Sequence, residues 1–140
     1  MQLVSWWLLI AVGVVAPQWD PAAIADHGTI ELLTVAPEEG EHWSTVWFVL
    51  IDGTMYVRLG PRAASRIEKN STAPRLKLRV SGKEVHQMRY EKAPEMAERI
   101  AAAMAKKYWT DFLGAPFRKL GLSAPPLMLR LVPETVSGDL

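Results

Sequence analysis

The run of residues 43–59, WSTVWFVLIDGTMYVRL, decides the fold class of this chain. Trp43–Ile51 is rich in β-branched and aromatic residues, and Thr54–Leu59 alternates in character, so both segments are predicted strands. Asp52-Gly53 lies directly between them. This dipeptide is typical of a two-residue turn, because both of its residues tolerate a positive φ. The run therefore predicts an antiparallel β-hairpin.

Four more segments have the composition or alternation of strands: Gly28–Val35, Pro74–Val80, Glu84–Tyr90 and Leu127–Val132. Ala93–Trp109 predicts the longest helix, because its interior is rich in alanine and Pro94 lies in its first turn. Pro61–Asn70 and the region of Phe112–Leu120 predict short helices. Six mostly antiparallel strands with few helices indicate a mainly β domain of the α+β class, built as a small closed or half-closed barrel.

The composition indicates one domain and excludes several kinds of chemistry. The chain has 140 residues, of which 49% are hydrophobic and 22% charged, enough for a single sizeable core. It has no cysteine, which excludes thiol catalysis, iron–sulfur clusters and cysteine-based zinc sites. The three histidines, His27, His42 and His86, are widely spaced, so no metal site is predicted. A formal net charge of +1 does not indicate a nucleic-acid-binding protein.

The charges are unevenly distributed along the chain. Residues 1–57 hold seven acidic residues and no Lys or Arg, whereas residues 58–140 hold all 16 basic residues against eight acidic ones. The basic residues are densest between Arg58 and Lys92. They either form a solvated sheet face that pairs with the acidic first half, or they bind an anionic ligand. Nucleic-acid binding along this stretch is the least favoured interpretation, because a ladder of stacking aromatic residues is missing.

The amino-terminal residues 1–25 predict a signal peptide or membrane anchor, followed by one domain over residues 26–140. Leu3–Ala16 is uncharged and apolar apart from one serine and one glycine, and its length fits a signal peptide better than a membrane span. The small-residue site Ala23-Ile24-Ala25 predicts a mature chain that begins at Asp26. We therefore expect an exported or membrane-attached protein. A buried amino-terminal helix is the alternative.

The sequence lacks the common catalytic motifs. It contains no glycine-rich phosphate loop, no HExxH and no Gly-x-Ser-x-Gly. The carboxylates of Glu38, Glu39 and Glu41 lie in a polar loop and are interpreted as a solvated turn. Asn70-Ser71-Thr72 fits the pattern of a glycosylation acceptor. An enzyme with this sequence would depend on a cofactor for its chemistry.

Four segments carry a resemblance to a known family: TIELLTV at 29–35, WSTVWFVLIDGTMYVRLG at 43–60, RIEKNSTAPRLKLRVSGKEV at 66–85, and AAAMAKKYW at 101–109. Together they resemble the split β-barrel family of flavin-reductase-like proteins and deazaflavin-dependent nitroreductase or quinone reductase-like proteins, which have the pyridoxamine-phosphate-oxidase-like fold. The resemblance covers about residues 28–132.

The resemblance implies a cofactor-dependent homodimer that acts on a small molecule. The cofactor would be FMN or a deazaflavin, with no metal, and it would carry out hydride transfer to quinones or nitro compounds. Residues implied to bind the cofactor are Arg58, Arg62, Ser65, Arg66, Lys69 and Asn70, of which the first five are implied to hold its phosphate. Residues implied to contact the cofactor ring or the substrate are Trp47, Tyr56, Tyr108 and Trp109.

Two departures from the family pattern keep a second hypothesis open. The loop after the first strand, Ala36–His42, is acidic where the nitroreductase-like relatives have a basic loop. The expected Trp-x-x-Asn stretch retains only Asn70. The alternative is a split barrel without a cofactor that binds a small ligand or a protein partner.

Overall fold

The computed structural model describes residues 18–108 and 126–134, which form seven strands and two α-helices. The strands are β1 (Ile30–Ala36), β2 (Gly40–Val46), β3 (Phe48–Ile51), β4 (Thr54–Leu59), β5 (Arg75–Val80), β6 (Glu84–Lys92) and β7 (Leu127–Pro133). The helices are α1 (Pro61–Glu68) and α2 (Ala97–Lys107), with 3-10 turns at Pro21–Ile24 and Pro94–Met96.

All seven strands belong to one antiparallel sheet, in the order β2-β1-β5-β6-β7-β4-β3. β2 and β3 lie at opposite ends of this order, although only Trp47 separates them along the chain. The sheet therefore curls until its two ends come together at Trp47. This half-barrel with few helices confirms the mainly β, α+β architecture.

The expected number of six strands was wrong, because the predicted strand Trp43–Ile51 is two strands that break at Trp47. The break is needed for closure, since the chain leaves one edge of the sheet at Val46 and joins the other at Phe48. The predicted hairpin is confirmed: Ile51 pairs with Thr54, and both Asp52 (φ 53°) and Gly53 (φ 80°) have positive φ.

The predicted helices are shorter in the structure. The Ala93–Trp109 segment begins with the 3-10 turn before α2, and the regular helix ends at Lys107. The predicted helix around Phe112–Leu120 and the apolar amino-terminal segment lie outside the described residues. Within residues 18–108 and 126–134, no helix has the length and apolar composition that a membrane span requires. Export or membrane attachment stays a prediction.

Strand alternation divides the buried side chains into two cores. Inside the barrel, Phe48, Met55 and Val57 pack with the inward residues of β1, β5, β6 and β7. On the outer face of the hairpin β3–β4, Val49 and Tyr56 pack against α2. The two cores share β3 and β4, so this hairpin positions both the barrel and α2.

The segment before β1 packs on the barrel core. Ile24 is 7% exposed and belongs to the inner core, and Trp19 packs against that core and meets the His86 ring edge-on at 5.2 Å. Both residues precede the boundary predicted after Ala25. That boundary stays a prediction. Cleavage there would remove both residues from the folded domain and lower its stability.

A chain that begins at Asp26 is expected to be about 2 kcal/mol less stable than one that begins at Gln18, because it lacks the buried Ile24 and the packed Trp19. Urea unfolding of the two proteins measures the difference. Equal free energies of unfolding would show that the segment contributes nothing to the folded domain.

Candidate functional site

A cavity of about 190 Å³ lies where the two edges of the sheet meet. We call it the Arg58 cavity. Its described lining comes from β2, Trp47, β4, α1, α2 and the start of β7: Thr45, Val46, Trp47, Arg58, Leu59, Gly60, Pro61, Ala63, Met104 and Pro126. Most of these side chains are apolar, so the Arg58 guanidinium is the main polar group of the wall.

The Arg58 guanidinium is partly buried and therefore partly desolvated. It follows Tyr56 on the outer face of β4, and burial lowers the pKa of its guanidinium. The next residues begin α1, where Gly60 is the N-cap and Pro61 supplies no N–H. The first-turn N–H groups of Arg62 and Ala63 have no acceptor within the helix. Of these two residues Ala63 lines the cavity together with Arg58, and a cation beside a free helix N–H suits an anion.

The other predicted phosphate ligands of α1 lie away from this cavity. Arg62, Ser65, Arg66 and Lys69 share the outer face of the helix, because they are spaced three or four residues apart. Arg62, Ser65 and Lys69 are exposed, and none of the four is among the described residues that line the Arg58 cavity. Arg66 Nε lies 3.7 Å from Glu39 Oε1, so the acidic loop offsets its charge. The structure thus separates Arg58 from the other basic candidates.

Other basic residues also pair with the acidic first half of the chain. Arg79 makes a bidentate ion pair with Glu31 at 2.8 and 2.9 Å and stacks over Trp43 at 3.9 Å. Arg99 reaches Asp52 at 3.2 Å. These pairs favour the solvated-face interpretation for much of the basic stretch.

Asn70 has a structural role in the barrel wall. Its Oδ1 accepts from the Val35 N–H at 3.0 Å, and its Nδ2 donates to the Arg75 carbonyl at 3.0 Å and to the Tyr90 hydroxyl at 3.1 Å. By the register of Leu33 with Lys77, Val35 and Arg75 would be the second pair beyond the end of the β1–β5 ladder. The Asn70 amide therefore bridges two strands that splay apart. No donor of this amide is left for a ligand or a glycan.

The aromatic candidates form a stacked pair beside the Arg58 cavity. Trp47 and Tyr108 stack with ring centroids 4.6 Å apart and an interplanar angle of 10°. The Tyr108 hydroxyl accepts from the Phe48 N–H at 3.2 Å and donates to the carbonyl of Gly28 (2.8 Å) or Phe48 (2.9 Å). Only Trp47 of this pair lines the Arg58 cavity. Tyr108 fixes the position of Trp47 from the other side.

Two further aromatic candidates are not brought to this cavity. Tyr56 is 6% exposed in the outer core, and its hydroxyl accepts from Arg130 Nε at 3.3 Å. It is not one of the described lining residues. Trp109 lies outside the described residues.

Lys107, which the sequence analysis did not select, lies beside the same aromatic pair. Its ammonium donates to the Phe48 carbonyl at 3.0 Å and lies 3.4 Å from the centroid of the Phe48 ring. Burial lowers the pKa of this ammonium to about 8, while the Asp26 carboxylate acts in the opposite direction. A lysine at the end of a helix is ordinarily solvated. The burial of Lys107 depends on its tertiary contact with Phe48, so the sequence pattern did not predict it.

The Lys107 amine is expected to titrate near pH 8 instead of near 10.5. Because the folded-state pKa is the lower one, the charge lowers stability below pH 8, and stability recovers between pH 8 and 10.5. NMR of ¹³Cε-labelled lysine measures the midpoint, with Lys107→Gln to assign the signal. A midpoint near 10.5 would contradict the burial of this charge.

The described residues contain no cluster of three or more His, Asp or Glu that could hold a metal ion. Several acidic side chains in residues 18–108 and 126–134 form ion pairs with Arg or Lys instead. Arg130, for example, binds Glu91 and Glu95.

No protein-family model matches the chain, and no curated protein matches its sequence. Solved structures do match its fold. HutZ, the heme storage protein from Vibrio cholerae, is 15% identical with a TM-score of 0.54, over 85% of this chain and 92% of that one. A putative pyridoxamine 5'-phosphate oxidase from Listeria innocua is 17% identical with a TM-score of 0.54, over 81% and 90%.

An F420-H2 dependent reductase is 11% identical with a TM-score of 0.53, over 74% of this chain and 94% of that one. Identities this low show the fold alone. The chain accordingly has the split β-barrel fold of the pyridoxamine-phosphate-oxidase-like proteins, and the resemblance seen in its sequence is confirmed at the level of the fold.

Proposed function

We propose that this chain binds a flavin-type cofactor, FMN or a deazaflavin, through its phosphate, and that it reduces quinones or nitro compounds. The observation that carries the proposal is the Arg58 cavity, where a partly dehydrated guanidinium lies beside the first turn of α1. A guanidinium binds phosphate oxygens through charge-assisted hydrogen bonds, so Arg58 suits the phosphate of such a cofactor.

The lining residues fit a phosphate group and the chain atoms next to it. Arg58 supplies a planar fork of donors, and the first-turn N–H group of Ala63, another lining residue, supplies one more. The apolar remainder of the wall excludes water and so strengthens these bonds. A volume of about 190 Å³ is below that of typical pockets for whole ligands, at roughly 300 Å³ or more. The ring of the cofactor would therefore lie outside this cavity.

The cofactor, when bound, supplies hydride transfer, and the chain supplies binding and positioning. Trp47 lines the Arg58 cavity and is held by its stack on Tyr108. The homodimer implied by the resemblance would give the ring a second wall from the partner subunit. We include this homodimer in the proposal.

The structural neighbours support the proposal at a coarser level. One is a reductase that depends on F420-H2, and another is a heme storage protein, so this fold serves proteins that handle large planar cofactors. The small volume of the Arg58 cavity and the pairing of Arg66 with Glu39 favour the second candidate, a split barrel without a cofactor that binds a smaller ligand or a protein.

Binding titrations with the full chain separate the two candidates. FMN, coenzyme F420 and hemin are each added while the tryptophan fluorescence is followed, for the wild type, for Arg58→Gln and for Arg99→Gln. Arg99 is the matched control because it is an exposed arginine paired only with Asp52 among the described residues. Circular dichroism establishes that each variant is folded.

We expect FMN or F420 to bind, with Arg58→Gln weakening the binding by on the order of 10- to 100-fold through loss of a charge-assisted bond. Arg99→Gln should bind as the wild type does. Equal affinities for all three proteins would exclude the Arg58 cavity as the phosphate site. Binding of hemin alone would contradict a flavin-type cofactor, and binding of none of the three would favour the other candidate.

A further inference from the structure

A second recess lies on the far side of Trp47 from the Arg58 cavity. It measures about 400 Å³ and is lined by the segment Ala25–Thr29, by Trp47, and by the end of α2 at Lys107 and Tyr108. We call it the Lys107 recess. Trp47 alone among the described residues lines both spaces. The recess is therefore separate from the proposed phosphate site but adjoins it.

The Lys107 ammonium has donors to spare in this recess. An ammonium carries three N–H donors, and one is used by the Phe48 carbonyl at 3.0 Å. Within the described part of the chain, Lys107 forms no ion pair within 4.0 Å. Two donors of a partly dehydrated cation therefore remain for an acceptor that enters from the recess.

One side of the Lys107 recess is aromatic and suits a planar ring. Trp47 and the largely buried Tyr108 line it as a stacked pair, and the Gly28 position carries no side chain. Planar rings pack well against such aromatic walls. A volume of about 400 Å³ admits a molecule of one or two fused rings.

We propose that the Lys107 recess is a binding site for a small aromatic carboxylate, whose carboxylate accepts from the Lys107 ammonium and whose ring lies against Trp47 and Tyr108. Asp26 and His27 are the other titratable groups that face Lys107 from the segment before β1, and Lys106 and Tyr108 accompany it on α2. Asp26 is the acidic member of this set, so its charge opposes an anionic ligand.

The test uses 2-naphthoate as the probe, with the full chain and isothermal titration calorimetry at pH 7. Lys107→Gln is compared with Lys106→Gln, because the two lysines are neighbours and Lys106 is exposed. We expect saturable binding that Lys107→Gln weakens by on the order of tenfold or more, and that Lys106→Gln leaves within twofold. Asp26→Asn should strengthen the binding, because it removes the opposing charge.

The pH dependence of the wild type gives a test that needs no variant. The affinity should fall as the pH rises from 7 to 9, since the Lys107 ammonium loses its proton in this range. In Lys107→Gln, the part of this decrease in affinity that comes from Lys107 should be absent. Any pH dependence that comes from Asp26, His27, Lys106 or Tyr108 should remain. No saturable binding at pH 7, or equal affinities of the two lysine variants, would overturn the proposal. Neither result bears on flavin binding at Arg58, which the titrations with Arg58→Gln test separately.

Discussion

Replacement of Asn70 by alanine is expected to lower the free energy of unfolding by about 3 kcal/mol. The Asn70 side chain is 6% exposed and bridges the Val35 N–H to the Arg75 carbonyl, where β1 and β5 diverge. Alanine leaves the Val35 N–H without this partner and removes the bonds to the Arg75 carbonyl and the Tyr90 hydroxyl, although the Arg75 carbonyl still accepts from the Thr72 hydroxyl at 2.8 Å. Buried polar groups without partners cost about 1–3 kcal/mol each.

Ser71→Ala is the matched control for Asn70→Ala. It also removes one bond to β1, from the Ser71 hydroxyl to the Val35 carbonyl at 3.0 Å, but at an exposed site. We expect it to change the free energy of unfolding by about 0.5 kcal/mol. Urea unfolding measures both variants. Equal small losses would show that the Asn70 bridge does not hold the barrel wall.

Replacement of Phe48 by alanine is expected to cost about 4 kcal/mol, the largest effect of any single substitution considered. Phe48 is fully buried at the start of β3, in the inner core. Alanine leaves a cavity at the closure of the barrel. It also removes the ring against which the Lys107 ammonium lies at 3.4 Å.

Phe48→Leu keeps most of the volume and should cost about 1.5 kcal/mol. Val85→Ala, at a side chain that is 39% exposed on β6, should stay within about 0.5 kcal/mol of the wild type. Thermal or urea unfolding ranks the three variants. A loss for Phe48→Ala no larger than that for Val85→Ala would contradict the inner core described above.

The hairpin β3–β4 could be predicted from the sequence because its signal is local. Asp52-Gly53 satisfies the turn geometry by itself, and the strands on both sides have the β-prone composition. The break at Trp47 could not be predicted in the same way. Residues 43–51 form one continuous β-prone run, and only the closure of the whole sheet requires the chain to change edges within it.

The candidate site could be predicted only in part, for a similar reason. Arg58 and Trp47 were selected through the family resemblance, and the structure places both at the Arg58 cavity. Arg62, Ser65, Arg66 and Lys69 have the right chemistry, but the helical period of α1 places them on its outer face. Asn70 was selected as a ligand, whereas its role depends on where β1 and β5 separate.

Lys107 illustrates what sequence patterns leave out. Lys106 and Lys107 are identical neighbours in the sequence, and only the second is partly dehydrated. Lys107 lies against the Phe48 ring and carbonyl at the start of β3, and it shares a recess with the segment before β1, whereas Lys106 is exposed. Desolvation of this kind depends on contacts between distant parts of the chain.

The most direct test of the central claim is an absorbance spectrum and a denaturing mass spectrum of the full chain purified from its own host. If the Arg58 cavity holds the phosphate of a flavin-type cofactor, the protein should show flavin or deazaflavin absorbance and release that cofactor in stoichiometric amount. A colourless protein that also fails to take up either FMN or a deazaflavin when titrated would contradict the claim.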